Sequence, residues 1–250
     1  MKIAVCSMFR DSQYWNGQYI NQVDLFFRNM YEQAKANNVE FEFFLLEGDS
    51  KDDTFQKIEQ YTKYYDIHLI KHDLGGRPPS SDGGDDRRKI LSEVGNICLD
   101  MALKSDNNYI LWSESDLIPV NNMLGTLLST IKNDINWDET VALAPIAIIR
   151  FRGMDSFYDG WAYEGIDGEK WSLHDLQKFL DYPSNNRPMK SIGCTALLNA
   201  KILRKNNINF ADGCFPKLCT TSIEKGYKVF CNLNSAIRHP SSACIQNRWI

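Results

Sequence analysis

Two acidic residues, Glu114 and Asp116, follow a short apolar run and have the types and spacing to bind a metal ion. The run Tyr109-Ile-Leu-Trp112 is typical of a strand buried on both faces. Carboxylates one residue apart repel each other, so the pair is costly unless a cation lies between them. Hard oxygen ligands suit Mg²⁺ or Mn²⁺, which commonly bridge the phosphates of a nucleotide. The pair predicts either a metal site or a solvated acidic turn, and the motif alone does not decide.

The elements that must position this pair alternate between strand and helix through the first half of the sequence. Predicted strands cover residues 2–7, 41–46, 67–71 and 109–112, and predicted helices cover 18–37, 53–64, 87–104 and 122–133. This alternation predicts an α/β fold with a mostly parallel, doubly wound sheet. In the less regular second half, strands are predicted at 140–149, 191–198 and 227–233, and residues 150–188 are expected to be irregular.

Composition is that of an ordinary globular protein, because 43% of the 250 residues are hydrophobic and 24% are charged. The net charge of −4 argues against the broad cationic surface of a non-specific DNA-binding protein. The first residues form a strand pattern rather than a signal peptide, and no stretch has the length of a membrane span. Seven cysteines without Cys-x-x-Cys spacing fit a reduced chain. These features predict a cytoplasmic protein with no membrane span.

Polar residues also end the first two predicted strands. Ser7 and Arg10 stand at the end of the first strand, and Glu47 and Asp49 follow the second. Because the carboxyl ends of parallel strands meet at one edge of a sheet, we expect these residues to lie near the acid pair. Converging acids do not favour stability, but they suit a metal ion and the edge of a nucleobase.

The segment Leu46-Glu-Gly-Asp-Ser-Lys-Asp-Asp-Thr54 is similar to the D-x-x-S-x-D-x-T segment of GT-A fold glycosyltransferases. Its closest pattern is that of the fungal mannan-synthesising Anp-type family. The helix from Arg87-Arg88 to Asn96 and the acid-tipped strand resemble that family in order and spacing. The resemblance covers roughly residues 2–130. Two positions depart from the pattern, since Glu114 replaces the usual Asp and Gly95 replaces an Arg.

This resemblance implies a metal-dependent GT-A glycosyltransferase that moves a sugar from a nucleotide-diphosphate donor, with UDP-sugar favoured, to a hydroxyl acceptor. Glu47 would approach the ribose or base, and Asp116 with Glu114 would hold Mn²⁺ or Mg²⁺ on the diphosphate. His239 would be a third metal ligand, or else an exposed tail histidine. The further donor-site residues are Ser7, Arg10, Asp49 and Asn96. A single domain would comprise a nucleotide-binding half, 1–130, and an acceptor-binding half, 131–250.

Five other residues have a functional and a structural interpretation. Asp212 lies where inverting GT-A enzymes keep their base, but Asp-Gly is also a common turn dipeptide. Gly193 would allow close approach of the backbone to the donor sugar, or simply lie in a buried strand. Trp161 would stack on the acceptor, or belong to a small loop core. Arg87 and Arg88 begin a helix, where cations are unfavourable unless they bind phosphate or pair with nearby acids.

The acceptor stays open between a glycan precursor, a protein, and a hydroxymethylated pyrimidine in phage-type DNA. DNA gains support from basic residues in the second half and loses it from the net negative charge. These basic residues are Arg150, Arg152, Arg187, Lys190, Arg238 and Arg248. Two other classes remain, a nucleotidyltransferase of similar architecture and a non-catalytic module that binds nucleotide sugars. The first usually has a Gly-rich loop after its first strand, which this sequence lacks.

Overall fold

The computed structural model describes residues 1–15, 18–75, 85–160, 162–211 and 214–240. Its strands are β1 (Lys2–Phe9), β2 (Tyr14–Trp15), β3 (Gln18–Tyr19), β4 (Glu40–Gly48), β5 (Asp66–His72), β6 (Tyr109–Ser113), β7 (Ile118–Pro119), β8 (Thr140–Phe151), β9 (Met154–Phe157), β10 (Glu164–Gly165), β11 (Asn186–Ser191), β12 (Thr195–Asn199) and β13 (Lys228–His239). Its helices are α1 (Gln22–Asn37), α2 (Thr54–Tyr61), α3 (Asp85–Lys104), α4 (Met123–Asn133), α5 (Leu176–Leu180), α6 (Ala200–Asn206) and α7 (Cys214–Glu224).

One large sheet runs through the molecule in the order β10-β11-β13-β8-β12-β6-β1-β4-β5. The strands β6, β1, β4 and β5 are parallel, which confirms the parallel sheet predicted for the first half. β12 lies antiparallel between β6 and β8, and β13 is parallel to β8. The predicted α/β class with a mostly parallel central sheet is therefore confirmed.

Helices cover this sheet because its central strands are apolar on both faces. The residues of β1 from Ile3 to Cys6 are fully buried, and such a strand needs cover on each side. α1, α2 and α4 pack together, while α3 packs against α6 and α7. Phe26 and Phe27 of α1 meet Phe43 of β4 edge to face. Within the described ranges, no helix combines the length and apolarity needed to span a bilayer.

Three predicted boundaries are wrong, each for a local reason. α1 begins at Gln22 rather than at residue 18, because β2 and β3 pair as a short hairpin before it. The predicted strand 191–198 is two strands, since the chain turns at Cys194, where φ is 46°. The last strand continues to His239 rather than ending at residue 233, because a bulge between Asn232 and Ala236 restores its pairing with β8.

The segment 150–188, predicted as irregular, contains regular structure. β9 folds back on the end of β8 as an antiparallel hairpin, and β10 pairs with β11. The rings of Phe157, Tyr163 and Phe179 pack together beneath these strands and are fully buried. Most of the aromatic residues in this region therefore form a small core, which was the structural interpretation of the pattern.

Candidate functional site

The acid pair lies at the carboxyl end of β6, as the sequence predicts. The backbone NH of Glu114 donates to the carbonyl of Cys194 at 3.2 Å, which ties the strand end to the start of β12. The NH of Leu117 then donates to the carbonyl of Glu114 at 3.2 Å and closes a turn. This turn carries Asp116 at its centre, with a side chain that is 29% exposed.

His239 lies beside Asp116 because of strand pairing. β7 pairs antiparallel with β13, so that Arg238 stands opposite Ile118 and the end of β13 reaches the turn after β6. The Nε2 atom of His239 is 3.2 Å from Oδ2 of Asp116. The histidine side chain is only 14% exposed, so it is part of the sheet edge and not an exposed tail residue. Two of the three predicted metal ligands are thus in direct contact.

Tyr158, which sequence reasoning did not select, holds the histidine ring in place. Its ring stacks on His239 with 4.3 Å between centroids, and its backbone NH donates to the carbonyl of Ala147 at 2.9 Å. Burial, and then the nearby carboxylates of Glu114 and Asp116, raise the pKa of Tyr158 far above its usual value. The phenol therefore stays neutral beside the acid pair.

The segment that follows β4 holds the loop that follows β1. Ser50 Oγ accepts a hydrogen bond from the backbone NH of residue 11, and Thr54 Oγ1 accepts one from residue 12. Asp52 Oδ2 accepts from the NH of residue 13 at 2.9 Å. The polar residues of the D-x-x-S-x-D-x-T-like segment therefore hydrogen-bond to the loop after β1 and hold it in place, which explains their spacing.

Glu47 lies at the end of β4, opposite Phe9 in the sheet, and is fully buried. Its Oε1 atom accepts from the NH of Ser50 at 2.7 Å, but Oε2 has no hydrogen-bond partner in the described part of the chain. Among the same residues, Nη1 of Arg10 and Oε1 of Gln13 are also buried without a partner. Each buried polar atom without a partner lowers the stability of the fold by about 1–3 kcal/mol. Three such atoms after the neighbouring strands β1 and β4 indicate polar groups that a ligand would hydrogen-bond.

Three other predicted donor-site residues are engaged or enclosed within the protein. Oδ2 of Asp49 accepts from the NH of Leu74 at 2.7 Å, and Oδ1 of Asn96 accepts from the NH of Phe210 at 2.9 Å. Ser7 is fully buried in β1, and its hydroxyl has no partner in the described ranges. Asp49 and Asn96 thus fix loops at this edge of the sheet through their side chains.

The remaining predicted residues are placed only in part. Arg87 and Arg88 lie in the first turn of α3, as predicted, and that helix begins at Asp85. Trp161 and Asp212 lie outside the described residues, so both assignments stay predictions. α7 begins at Cys214, two residues after Asp212.

Gly193 lies where the chain passes from β11 to β12, and its missing side chain makes room for Asp159. A Cβ atom at this position would come within 2.2 Å of Oδ2 of Asp159 and 2.6 Å of Cβ of Ala162. The group that closely approaches Gly193 in this structure is a carboxylate of the same chain, and approach of a donor sugar stays a prediction. Sequence reasoning missed Asp159 because Asp159-Gly160 has the pattern of an ordinary turn.

A cavity of about 60 Å³ opens beside the acid pair, between the first turns of α3 and α7. Two carboxylates line it, those of Glu114 and Asp159. Its remaining walls are mostly apolar and include Trp112, Phe210 and Phe215, whose rings pack edge to face. The site therefore combines a carboxylate–imidazole contact with an adjoining pocket that is apolar except for two acids.

A second group of possible metal ligands lies at the opposite, amino-terminal edge of the sheet. Carboxylate and imidazole atoms of Glu42, Asp66 and His68 lie within 4.8 Å of one another. Lys2 Nζ is 3.1 Å from a carboxylate oxygen of both Glu42 and Asp66, and Asn107 donates to Glu42 at 2.6 Å. Lys2 pairs with both acids, and His68 Nε2 lies 2.9 Å from a carboxylate oxygen of Glu42, so contacts within the protein explain the cluster.

Three of the basic residues in the described part of the second half contact carboxylates. Arg150 and Arg238 both contact Asp155, at 3.1 and 3.3 Å. Lys190 contacts Glu164 at 2.7 Å. Since Arg150 and Arg238 share one carboxylate, these contacts reduce the positive charge of this region without removing it.

Arg187 is buried and acts as a structural cation. Its guanidinium carbon lies 4.1 Å from the ring centre of Trp171 and 5.0 Å from that of Phe179. Its Nη2 atom is 3.1 Å from a carboxylate oxygen of Glu169. This residue is unavailable to a nucleic acid, and Arg248 lies outside the described residues.

Comparison with known proteins identifies the fold. No protein-family model matches the sequence, and no curated protein matches it. Among solved structures, S. aureus TarS 1–349 in complex with UDP has a TM-score of 0.57 and 13% identity, covering 95% of this chain and 60% of that one. The same fragment with UDP-GlcNAc gives 0.56 and 13%, covering 100% and 62%. GalNAc-T7 with UDP, GalNAc and Mn²⁺ gives 0.54 and 13%, covering 95% and 43%.

These neighbours are GT-A glycosyltransferases, so the chain has the GT-A fold. At such low identity the likeness concerns the fold alone. The chain spans about 60% of the length of the TarS fragment. The narrower resemblance to the Anp-type family receives no support from these structures.

Proposed function

We propose that this protein is a metal-dependent glycosyltransferase that moves a sugar from a nucleotide-diphosphate donor to a hydroxyl group of an acceptor. A UDP-sugar is the favoured donor. The observation that carries this proposal is the 3.2 Å contact between His239 Nε2 and Asp116 Oδ2 at the carboxyl edge of a GT-A sheet. Ligands bind at this edge in open α/β folds, and carboxylates with an imidazole are competent ligands for Mn²⁺.

Glu114, Asp116 and His239 would hold the divalent ion, Mn²⁺ or Mg²⁺. The residues fit such an ion because a carboxylate and an imidazole, both of which are competent ligands for Mn²⁺, lie 3.2 Å apart at this strand end. When bound, the ion would stabilise the negative charge on the departing diphosphate. Stacking on Tyr158 keeps the imidazole in the orientation that this role requires.

The nucleotide would occupy the ends of β1 and β4. Glu47 offers a buried, unpartnered carboxylate oxygen to a ribose hydroxyl or a base NH, and Arg10 offers a donor beside it. Arg87 and Arg88, in the first turn of α3, are the proposed phosphate contacts. Ser7 belongs to the same strand end, while Asp49 and Asn96 would shape the donor site by holding its loops.

In the transfer step, an acceptor oxygen forms a bond to the anomeric carbon while the bond from that carbon to the diphosphate breaks. The bonding electron pair leaves with the nucleoside diphosphate, through an oxocarbenium-like transition state. If configuration inverts, a carboxylate must take the acceptor proton, and Asp212 is the proposed base. Trp161 is the proposed stacking surface for the acceptor.

We further propose that residues 1–130 bind the nucleotide and residues 131–250 bind the acceptor. A cytosolic glycan precursor is the favoured acceptor, because three of the basic residues that would favour DNA contact carboxylates. The alternative classes differ in product. A nucleotidyltransferase would release pyrophosphate, whereas a binding module would release nothing.

The test is release of nucleoside diphosphate from UDP-glucose, UDP-galactose, UDP-GlcNAc and GDP-mannose, each with Mn²⁺ and then with EDTA. We expect metal-dependent release of UDP that Asp116→Asn abolishes. Asp106→Asn is the matched control, because Asp106 is an exposed carboxylate at the opposite end of β6. Release that survives both EDTA and Asp116→Asn would refute the proposal. Formation of UTP and sugar 1-phosphate from a UDP-sugar and added pyrophosphate would replace it with nucleotidyl transfer.

A further inference from the structure

We propose that the tip of the β8–β9 hairpin, residues 150–155, binds the surface of an anionic phospholipid bilayer and inserts two apolar side chains into it. All residues of this hairpin tip are exposed, whereas the pair Ile148–Phe157, nearer the body of the protein, is buried. The tip therefore protrudes from the sheet. This inference goes beyond the proposed glycosyl transfer, and the binding itself does not depend on it.

The two apolar side chains stand together on one face of the hairpin tip. Phe151 pairs with Met154 across the hairpin, and paired residues of neighbouring strands point to the same side. Both are exposed, Met154 at 68% and Phe151 at 37%, and the described ranges contain few other large apolar side chains that are exposed. Insertion into a bilayer would remove this apolar surface from water, which is favourable.

A two-residue turn places Arg152 at the end of the hairpin. The φ angles of Arg152 and Gly153 are 48° and 84°, as a type I′ hairpin turn requires. Asparagine and glycine adopt this backbone more readily than arginine, so the turn alone does not account for an arginine here. The guanidinium carbon of Arg152 lies 5.2 Å from the ring centre of Phe151. At a bilayer surface the ring can enter the acyl boundary while the guanidinium stays at the phosphates.

The charge of the hairpin tip is complementary to an anionic surface. Asp155 contacts Arg150 at 3.1 Å and Arg238, at the end of β13, at 3.3 Å. Within the described ranges Arg152 makes no ion pair, so these three arginines and one aspartate leave a net charge of +2. Each cation close to anionic lipid strengthens binding about fivefold. The chain as a whole carries −4, so the positive tip should orient the molecule toward the bilayer.

The shape of the hairpin tip favours a bilayer over a protein partner. A stable protein interface buries about 800 Å² on each side, far more than one turn and two apolar side chains offer. A bilayer needs no complementary pocket. It receives apolar side chains below its phosphates and cations among them, and the hairpin tip presents these two groups together.

The position of the hairpin tip links this surface to the candidate site. Ile149 pairs with His239 in the sheet, and the tip begins at the next residue, Arg150. At about 3.3 Å per residue, Phe151 lies about 7 Å beyond the level of His239. A bilayer that holds the tip would therefore lie beside the carboxyl edge of the sheet. For the acceptor this favours a glycan precursor linked to a membrane lipid, a consequence that rests on the proposed function.

The test is co-sedimentation of the full chain with vesicles of phosphatidylcholine, alone or mixed with phosphatidylglycerol, without nucleotide sugar. We expect binding to the anionic vesicles that weakens as salt is raised, and about tenfold weaker binding to phosphatidylcholine alone. The double variant Phe151→Ser, Met154→Ser should bind the anionic vesicles about tenfold more weakly, because apolar surface is lost. Arg152→Glu should bind about 30-fold more weakly, because the local charge changes by two.

The matched controls lie at the opposite edge of the sheet, just before β5. Tyr64 is an aromatic residue that is 77% exposed, and Lys63 is an exposed cation beside it. Tyr64→Ser and Lys63→Glu make similar changes of polarity and charge, and should alter vesicle binding less than about twofold, since they lie far from the hairpin tip. Melting temperatures should stay unchanged in all variants, because every substituted residue is exposed.

Three results would overturn the inference. One is absence of wild-type binding to anionic vesicles, and another is equal loss in the hairpin and control variants, which indicates non-specific adsorption. The third is self-association that the double variant abolishes, because the tip would then contact a second copy. The UDP-release assay is separate. Vesicle binding without UDP release would remove the proposed function and leave this inference, whereas UDP release without vesicle binding would do the reverse.

Discussion

Replacement of Glu47 by glutamine should stabilise the ligand-free protein and weaken its binding of nucleotide. The carboxylate is fully buried, and only one of its oxygens has a partner, the NH of Ser50 at 2.7 Å. Glutamine can keep that hydrogen bond through its own Oε1 while it removes the buried negative charge. A buried neutral amide is less costly than a buried carboxylate that lacks a partner, so the variant should unfold less readily.

The expected size follows from these contacts. Relief of one unsatisfied charged oxygen should raise the free energy of unfolding by about 1–2 kcal/mol. For a chain of this length, that corresponds to a melting temperature higher by about 2–8 °C. Loss of a charge-assisted hydrogen bond to the ligand, about 1.5–3 kcal/mol, should weaken UDP binding about 10- to 100-fold.

Differential scanning calorimetry and UDP titration test both effects on one sample. Glu40→Gln is the matched control, because Glu40 lies at the exposed start of the same strand, β4. The control should change neither quantity. A lower melting temperature with unchanged UDP affinity would refute the reasoning, since Glu47 would then be a structural acceptor with no ligand to satisfy it.

Other perturbations give different signatures. Asp116→Asn should lower kcat/KM for UDP release about 10²- to 10³-fold, with little change in melting temperature, because the residue acts on developing charge and lies on a partly exposed turn. Arg187→Ala should lower the free energy of unfolding in urea by about 2–4 kcal/mol, since it removes a buried guanidinium group that stacks on Trp171 and contacts Glu169. Although burial opposes it, hydrogen bonds from Asn107 and two basic side chains keep the pKa of Glu42 below its usual value. Stability should therefore fall as pH drops below about 4, and Glu42→Gln should flatten that part of the urea midpoint curve.

The parts of the fold that local pattern determines were predictable. The predicted strands 2–7, 41–46, 67–71 and 109–112 all lie within β1, β4, β5 and β6, because strands buried on both faces have continuous apolar runs. The convergence of their ends followed from parallel topology, and the pairing of Phe9 with Glu47 confirms it. The position of His239 beside Asp116 came from the family resemblance, since no local pattern reports a contact over that separation.

The rest depends on contacts that no local pattern encodes. The bulge of β13 lies in a polar stretch, so the sequence pattern predicts that the strand ends there. The strand continues beyond the bulge because it pairs with β8. Asn96 has the position of a ligand contact in the family, yet its amide accepts from Phe210 far along the chain. Tyr158 and Asp159 lie in an aperiodic segment, where neither helix nor strand spacing indicates which side chains turn inward.

The place of β13 inside the sheet has a consequence for how the protein is made. Glu114 and Asp116 leave the ribosome long before His239, and His239 reaches them only when β13 inserts between β8 and β11. A nascent chain that lacks β13 therefore has the two acids but not the third proposed metal ligand. If the proposed ion binds as described, only a chain with a complete sheet is stabilised by its binding. Metal ions would therefore protect complete molecules from proteolysis and would not protect truncated ones.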